Sequence, residues 1–266
     1  MTIFFPNEKT PDIKLYKPDP LNYPTIFVIE FVKLPENRIT EQFIASVNYA
    51  LDAIEKELDS RFEDYKTKLA SGQNPKDYGG AVITTSTGKF YSNGLDVTLS
   101  VGNQRFHTVN TRLNARFLSF RLPTIAAVNG HAFAGGCLMA CAHDYVVMGE
   151  NRGFICTNEI DINLPLSIGP IELFKSRVSS PPAVTKALLE GYRFTAKEAQ
   201  AIGLVDIAVP NPKVFETAFN LAKEMSPKAQ KGGHVFSIIK QAKNKTAIEA
   251  LKISKLNHLA LTYNKL

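Results

Sequence analysis

The sequence lacks the features that mark several large classes of protein. Its 266 residues contain no apolar run near the roughly 20 residues of a membrane span. The polar, proline-interrupted N-terminus shows no signal-peptide pattern, and neither a P-loop nor a nucleophile elbow occurs. The net charge of +6 is not gathered into a basic stripe with interleaved aromatic residues. We therefore expect no membrane span and no nucleic-acid partner, and the mild positive balance suits an anionic small molecule.

Cysteine and histidine are also scarce. The cysteines are three, an odd number, and lie in apolar surroundings, so we expect buried free thiols in a reducing compartment. Most histidines have no carboxylate or cysteine at the spacing of a metal site. We expect no bound metal and interpret these histidines as satisfied structural side chains: His107, His143, His234 and His258.

Apolar runs that resemble strands alternate with amphipathic helical segments along the chain. This alternation predicts an α/β fold with parallel strands. Strands are predicted at 25–32, 81–85, 124–128, 145–148, 153–156 and 204–209, and longer helices at 41–65, 104–120, 214–225 and 235–263. Residues 1–24 are expected to form an irregular arm and residues 66–78 a polar insertion. Because strand character fades towards the end, we assign residues 1–205 to a core domain and 206–266 to a C-terminal helical region.

The most informative stretch is residues 129–137, with the sequence NGHAFAGGC. An apolar strand leads into it and an Ala- and Cys-rich helix leads out, which places Gly135 and Gly136 in the first helical turn. The N–H groups of that turn have no acceptor within the helix, and the helix dipole is positive there, so the turn can bind a negatively charged oxygen. The alternative is a tight strand-to-helix connection in which small residues serve packing alone.

Four blocks in this order resemble the crotonase superfamily, the enoyl-CoA hydratase/isomerase family. Residues 90–96 (FYSNGLD) resemble the F-x-x-G-x-D turn of that family, and residues 129–137 resemble its N-G-x-A-x-G-G-G-C turn. Residues 158–165 (NEIDINLP) resemble the segment with a catalytic glutamate, and residues 194–206 (FTAKEAQAIGLVD) resemble the A-x-E-A-x-x-x-G-L-V-D segment. The glutamate segment and residues 36–39 (ENRI), which follow the first predicted strand, are most similar to monofunctional Δ3,Δ2-enoyl-CoA isomerases of the plant and fungal peroxisomal type.

The resemblance implies a ClpP/crotonase-like ββα spiral core with a C-terminal helical lid that also serves trimerisation. It implies an acyl-CoA substrate and a homotrimer or hexamer. No separate cofactor is expected, because the substrate itself carries coenzyme A.

The resemblance also implies the residues of an active site. The backbone N–H groups of Leu95 and Gly135 would hold the thioester oxygen, and Glu159 would be the catalytic base. Coenzyme A would bind near Arg38, Asn93, Leu95, Asp96 and Gly135, with Asp96 mainly supporting its turn. The hydratases carry a first glutamate after the G-G-C, but Leu138 occupies that position here.

One carboxylate and two amide donors suit a proton shuttle, so the implied activity is conversion of a 3-enoyl-CoA to a 2-trans-enoyl-CoA in fatty-acid β-oxidation. Two alternatives stay open. One is another crotonase-type enzyme, either a hydratase or a thioester hydrolase. The other is a non-catalytic trimer that binds acyl-CoA.

The sequence ends in Asn264-Lys265-Leu266, which resembles the Ser-Lys-Leu address read by the peroxisomal import receptor. We expect a peroxisomal protein. The alternatives are a polar helix end without a targeting role and a cytoplasmic enzyme.

Overall fold

The computed structural model of the protein describes residues 2–77 and 79–256. Within these ranges the chain forms ten strands: β1 (Ile3–Phe5), β2 (Ile13–Tyr16), β3 (Ile26–Phe31), β4 (Ala81–Ser86), β5 (Phe90–Ser92), β6 (Thr124–Val128), β7 (His131–Phe133), β8 (Tyr145–Gly149), β9 (Ile155–Cys156) and β10 (Ile207–Val209).

The same ranges contain ten α-helices: α1 (Glu41–Ala70), α2 (Val97–Ser100), α3 (Gln104–Phe117), α4 (Gly135–Cys141), α5 (Ile168–Lys175), α6 (Pro181–Glu190), α7 (Ala196–Ala201), α8 (Val214–Met225), α9 (His234–Lys243) and α10 (Lys245–Ile253). None of these helices combines the length and the apolar character needed to cross a bilayer.

A seven-stranded sheet with the order β1-β2-β3-β4-β6-β8-β10 forms the centre of the fold. The strands from β3 to β10 are parallel, whereas β1 and β2 are joined antiparallel at one edge. Every residue of β3, β4 and β6 is buried, as is typical of parallel strands covered on both faces. One face packs on the main core, and the other packs on α8 through Val214, Ala218 and Ala222.

Helix α1 covers the main core with one apolar stripe. The Thr40 hydroxyl caps its first turn by accepting from the Phe43 N–H at 3.1 Å. Phe43, Val47, Leu51 and Ile54 then recur at helical spacing, and all four are fully buried.

The second sheet is small and positions the candidate site. Its order is β5-β7-β9 and its strands are parallel. Because the carboxyl ends of parallel strands meet at one edge, the three segments that follow these strands lie next to one another.

The predicted strands at 25–32, 81–85, 124–128 and 145–148 are confirmed, and α/β architecture with parallel strands is confirmed with them. The prediction of an irregular arm at 1–24 is wrong, because β1 and β2 extend the large sheet. Ile13 and Leu15 of β2 face the core, and this short alternation was obscured by the prolines around it.

Two helix predictions also need correction. Helix α1 continues to Ala70, so the first residues of the expected polar insertion are helical. The single helix expected at 235–263 is instead two helices that meet at Asn244, and the second ends at Ile253. The Asn244 side chain donates to the Leu118 carbonyl at 3.0 Å, a contact between distant parts of the chain that accompanies the break. Residues 254–256 are not helical, and residues 257–263 of the predicted helix, which include His258, lie outside the described residues together with the C-terminal tripeptide.

The boundary between residues 205 and 206 stays a prediction. Strand β10 lies just beyond it and pairs with β8 in the large sheet.

Candidate active site

The three predicted catalytic groups lie at one edge of the small sheet, because each follows one of its three strands. Leu95 follows β5, Gly135 follows β7, and Glu159 follows β9. The Ala134 N–H donates to the Cys156 carbonyl at 2.8 Å, which joins the segment before Gly135 to the segment before Glu159.

The amide nitrogen of Leu95 lies close to Gly135. A methyl group placed on Gly135 would be 3.4 Å from the Leu95 nitrogen and 3.2 Å from its Cγ. In the described chain, neither N–H donates a hydrogen bond to a group outside its own element. The pair therefore offers two neighbouring donors that have no acceptor in the part of the chain that the structure describes, as an oxyanion site requires.

The backbone segments around the two amides are closely packed, and one residue among them has a strained conformation. A side chain on Gly94, whose φ is +79°, would lie 2.9 Å from the Phe133 carbonyl oxygen and 3.1 Å from the Gly135 nitrogen. Ala134 adopts φ 51° and ψ −121°, a conformation that favours glycine. A side chain on Gly136 would come within 2.4 Å of the Ser92 carbonyl oxygen. Close packing thus explains why residue 136 is a glycine, whereas Gly135 itself supplies one of the two amides.

Arg38 and Asn93 hold the first of these turns in place. The Arg38 Nε lies 2.8 Å from Glu36 Oε2, and its Nη1 donates to the carbonyls of Asn93 at 3.2 Å and Leu95 at 3.3 Å. The Asn93 side chain donates to Glu36 Oε1 at 2.8 Å. The hydrogen bond from Arg38 lowers the pKa of Glu36. Residues 36–39 belong to the resemblance, but the sequence did not indicate that Glu36 holds this turn through both Arg38 and Asn93. The binding roles of Arg38 and Asn93 stay predictions.

Asp96 caps the short helix α2. Its Oδ1 accepts from the Thr98 N–H at 3.1 Å and from the Thr98 hydroxyl at 2.6 Å, and the latter bond lowers the Asp96 pKa. These contacts give Asp96 a supporting position in the turn; its predicted contact with coenzyme A stays a prediction.

Glu159 opens the 3₁₀ turn Glu159–Ile162 and is 9% exposed. Its Oε2 is buried and has no hydrogen-bond partner among the described residues. Burial raises the pKa of Glu159 to about 7, and no neighbouring charge in the described chain contributes to the shift. A carboxylate near half protonation at neutral pH suits both the removal and the return of a proton.

Two thiols close to Glu159, those of Cys156 and Cys137, are neutral because their pKa values are raised. Burial raises the pKa of the Cys156 thiol to about 12, with a further contribution from the charge of Glu159. Cys137 hydrogen-bonds Cys141, which raises its pKa, and all three thiols are free and buried as predicted. Leu138 follows Cys137 in α4 and is buried. No second acid therefore contributes to the electrostatics of Glu159 in the part of the chain that the structure describes.

His131 packs in an aromatic cluster on the small sheet. Its ring lies 5.2 Å from Phe90, 4.8 Å from Phe133 and 5.8 Å from Phe154, measured between ring centroids. Its Nδ1 accepts from the Phe154 N–H at 3.1 Å. Among the described residues, no three His, Cys, Asp or Glu side chains are grouped so that they would hold a metal ion.

Comparison with known proteins identifies the family. The family model for enoyl-CoA hydratase/isomerase matches residues 52–263. The chain is 35% identical over 176 residues to the peroxisomal enoyl-CoA delta isomerase 1 of Arabidopsis thaliana, covering 64% of this chain and 72% of that protein. It is 36% identical over 184 residues to enoyl-CoA delta isomerase 3 of the same plant, covering 65% and 77% of the two chains.

Solved structures agree on the fold. The human mitochondrial delta3-delta2-enoyl-CoA isomerase superimposes with a TM-score of 0.73 at 23% identity, covering 90% of this chain and 86% of that one. The spiral crotonase fold expected from the four sequence blocks is therefore confirmed. On the family match, the two relatives and this fold, the chain belongs to the enoyl-CoA hydratase/isomerase family.

Proposed function

We propose that the chain is a Δ3,Δ2-enoyl-CoA isomerase, which converts a 3-enoyl-CoA to a 2-trans-enoyl-CoA in fatty-acid β-oxidation. The observation that carries the proposal is the buried carboxylate of Glu159, whose Oε2 has no hydrogen-bond partner among the described residues and which follows β9 at the same edge as the Leu95 and Gly135 amides. The names of the two plant relatives support the same reaction.

The reaction balances with one residue as base and acid. The Glu159 carboxylate removes a proton from C2, and the electron pair of that bond moves onto the thioester to give a dienolate. The two amides stabilise the negative oxygen, and loss of one such donor raises a barrier by about 3–4 kcal/mol in other enzymes. The carboxylic acid then returns the proton to C4, which leaves the double bond between C2 and C3. No proton is gained or lost overall.

The single carboxylate argues against hydration. A hydratase of the family positions water between two glutamates, and Leu138 occupies the position of the first one here. A buried leucine neither accepts a proton from water nor orients it. The proposal therefore predicts isomerisation without efficient hydration.

We also propose that coenzyme A lies against the first turn, near Arg38, Asn93 and Asp96, and that the protein works as a homotrimer or hexamer in the peroxisome. Support for the location comes from a plant relative whose name places it there. A fluorescent fusion that preserves the C-terminus should appear in puncta, and a diffuse signal would favour the cytoplasm.

The enzymatic proposal is tested by supplying 3-enoyl-CoA and 2-enoyl-CoA separately and following absorbance. Formation of 2-enoyl-CoA from the first substrate with no hydration of the second is the expected result. Brisk hydration of the second would assign the chain to the hydratases. Binding of both without turnover would favour a non-catalytic acyl-CoA-binding protein.

A further inference from the structure

A chain of polar side chains crosses the otherwise apolar core behind the candidate site. Thr84 of β4 lies at its centre, with its Oγ1 2.8 Å from the Tyr91 hydroxyl and 2.9 Å from the His143 Nε2. The His143 Nδ1 lies 2.8 Å from the Met139 carbonyl oxygen. Thr84 and Tyr91 are fully buried and His143 is 2% exposed, so none of the three faces solvent.

The hydrogen bonds of this chain have one consistent direction. A carbonyl oxygen only accepts, so Nδ1 of His143 carries the proton and Nε2 accepts from the Thr84 hydroxyl. The Tyr91 hydroxyl then donates to Thr84. Burial lowers the pKa of His143 to about 3 and raises the pKa of Tyr91, so both stay neutral at physiological pH.

The row of hydrogen-bonded groups ends at Tyr91 on one side and at Met139 on the other, and these two residues lie on the elements next to the amide donors. Tyr91 belongs to β5, which leads into Leu95, and Met139 belongs to α4, which begins at Gly135. Met139 is about one helical turn, or about 6 Å, along α4 from Gly135. Thr84 joins both ends to the large sheet.

Helix α4 is short and is held at both ends. At its start, Gly136 packs directly on the backbone of β5. At its end, the His143 ring stacks on Phe117 with centroids 4.4 Å apart, and Arg177 donates to the His143 carbonyl at 3.0 Å. A seven-residue helix fixed in this way has little freedom to tilt, so the position of its first amide depends on the anchor at its last turn.

We propose that Thr84, Tyr91 and His143 are positioning residues, which set the separation of the Leu95 and Gly135 amides through β5 and α4. The proposal rests on the proposed function, in which these amides hold the thioester oxygen. The competing explanation is that the three side chains only stabilise the core. The two explanations differ in one respect: whether loss of the hydrogen bonds among these three side chains changes the polarisation of a bound thioester.

The test compares two neighbouring threonines. Thr84→Val removes the central hydroxyl with little change of shape. Thr85→Val is the matched control, because Thr85 is also buried and on β4, but its hydroxyl donates to Ala127 of the large sheet at 3.3 Å. We expect kcat to fall about 10-fold in Thr84→Val at unchanged KM, less than the loss of a whole oxyanion donor, and to stay within about 2-fold in Thr85→Val.

Tyr91→Phe is a second variant in case Thr84→Val does not fold. It removes the Tyr91 hydroxyl and leaves the hydrogen bond between Thr84 and His143 intact. We therefore expect a smaller fall of kcat than in Thr84→Val. An equal fall of kcat in Thr84→Val and Thr85→Val would overturn the proposal. So would a folded Thr84→Val or Tyr91→Phe protein with unchanged kcat.

Infrared spectroscopy gives a readout that needs no turnover. A saturated acyl-CoA labelled with ¹³C at the thioester carbonyl is bound to each protein, and its carbonyl stretch is compared with that in solution. We expect a shift to lower frequency in the unmodified protein and in Thr85→Val, and a smaller shift in Thr84→Val. No shift in the unmodified protein would refute the proposed oxyanion site itself. A full shift in Thr84→Val would refute only the positioning role.

Discussion

Gly135→Ala is the substitution that separates an amide donor from a packing glycine most cleanly. The new methyl group would lie 3.2 Å from Leu95 Cγ and 3.4 Å from the Leu95 nitrogen, the other proposed donor. Leu95 is only partly buried, so we expect its side chain to shift by a few tenths of an ångström. Alanine is favoured over glycine in a helix by about 0.5–1 kcal/mol. We therefore expect the free energy of unfolding to change by no more than about 1 kcal/mol.

Catalysis is expected to respond differently. The methyl group comes within 3.4 Å of the Leu95 nitrogen, so we expect it to hinder the approach of the thioester oxygen and to lengthen or remove one or both hydrogen bonds to that oxygen. Loss of one donor slows comparable reactions by about 100- to 1000-fold, and we expect kcat to fall by that amount. Plain coenzyme A should bind with unchanged affinity, because it has no thioester oxygen.

Gly136→Ala is the control with the opposite pattern. Its methyl group would come within 2.4 Å of the Ser92 carbonyl oxygen, which is backbone and cannot move cheaply. We expect a loss of about 1–3 kcal/mol in the free energy of unfolding. Urea unfolding and kcat per folded molecule are measured on the same preparations. A folded Gly135→Ala protein with unchanged kcat would refute the assignment of this amide.

Three further predictions follow from the strained and buried groups of the site. The pKa of Glu159 is raised to about 7 in the folded protein, so between about pH 4.3 and 7 the unfolded chain binds fewer protons and stability falls as the pH rises. Glu159→Gln should therefore have a larger free energy of unfolding in urea than the unmodified protein at pH 8, by up to about 3 kcal/mol, but not at pH 4. Equal differences at both pH values would contradict the raised pKa of Glu159. The kcat/KM of the unmodified protein should rise with pH and level off above about pH 7, and a profile that is flat from pH 5 to 9 would exclude Glu159 as the base. Ala134→Gly should stabilise the protein by about 1 kcal/mol because it relieves the φ of 51°, and destabilisation in urea would show that no strain is stored there.

The sequence indicated the strands and the turn because each depends on neighbouring residues. The buried strand before the glycine turn is an unbroken apolar run, and Gly135 and Gly136 lie where the chain passes from strand to helix. The block around Glu159 was recognised by its resemblance to the family. The structure brings the segments of Leu95, Gly135 and Glu159 to one edge of the small sheet.

Other features depend on contacts between distant residues and leave no local pattern. Asn244 bonds to Leu118, and Thr84 bonds to His143, across long stretches of chain. The raised pKa of Glu159 requires burial of its carboxylate, which is a property of the packed site and not of the residues beside it in sequence. Strand β1 has three residues and gains its order from pairing with β2.

The most direct test of the account is the turnover of Glu159→Gln with a 3-enoyl-CoA, measured together with its affinity for the acyl-CoA. The amide has nearly the shape of the carboxylate but cannot accept the C2 proton, so binding should be retained. Removal of a general base typically costs about 100- to 10,000-fold. Because no second acid among the described residues contributes to the pKa shift of Glu159, we expect the upper end of that range. Turnover per folded molecule within a few-fold of the unmodified protein would contradict the single-carboxylate proton shuttle.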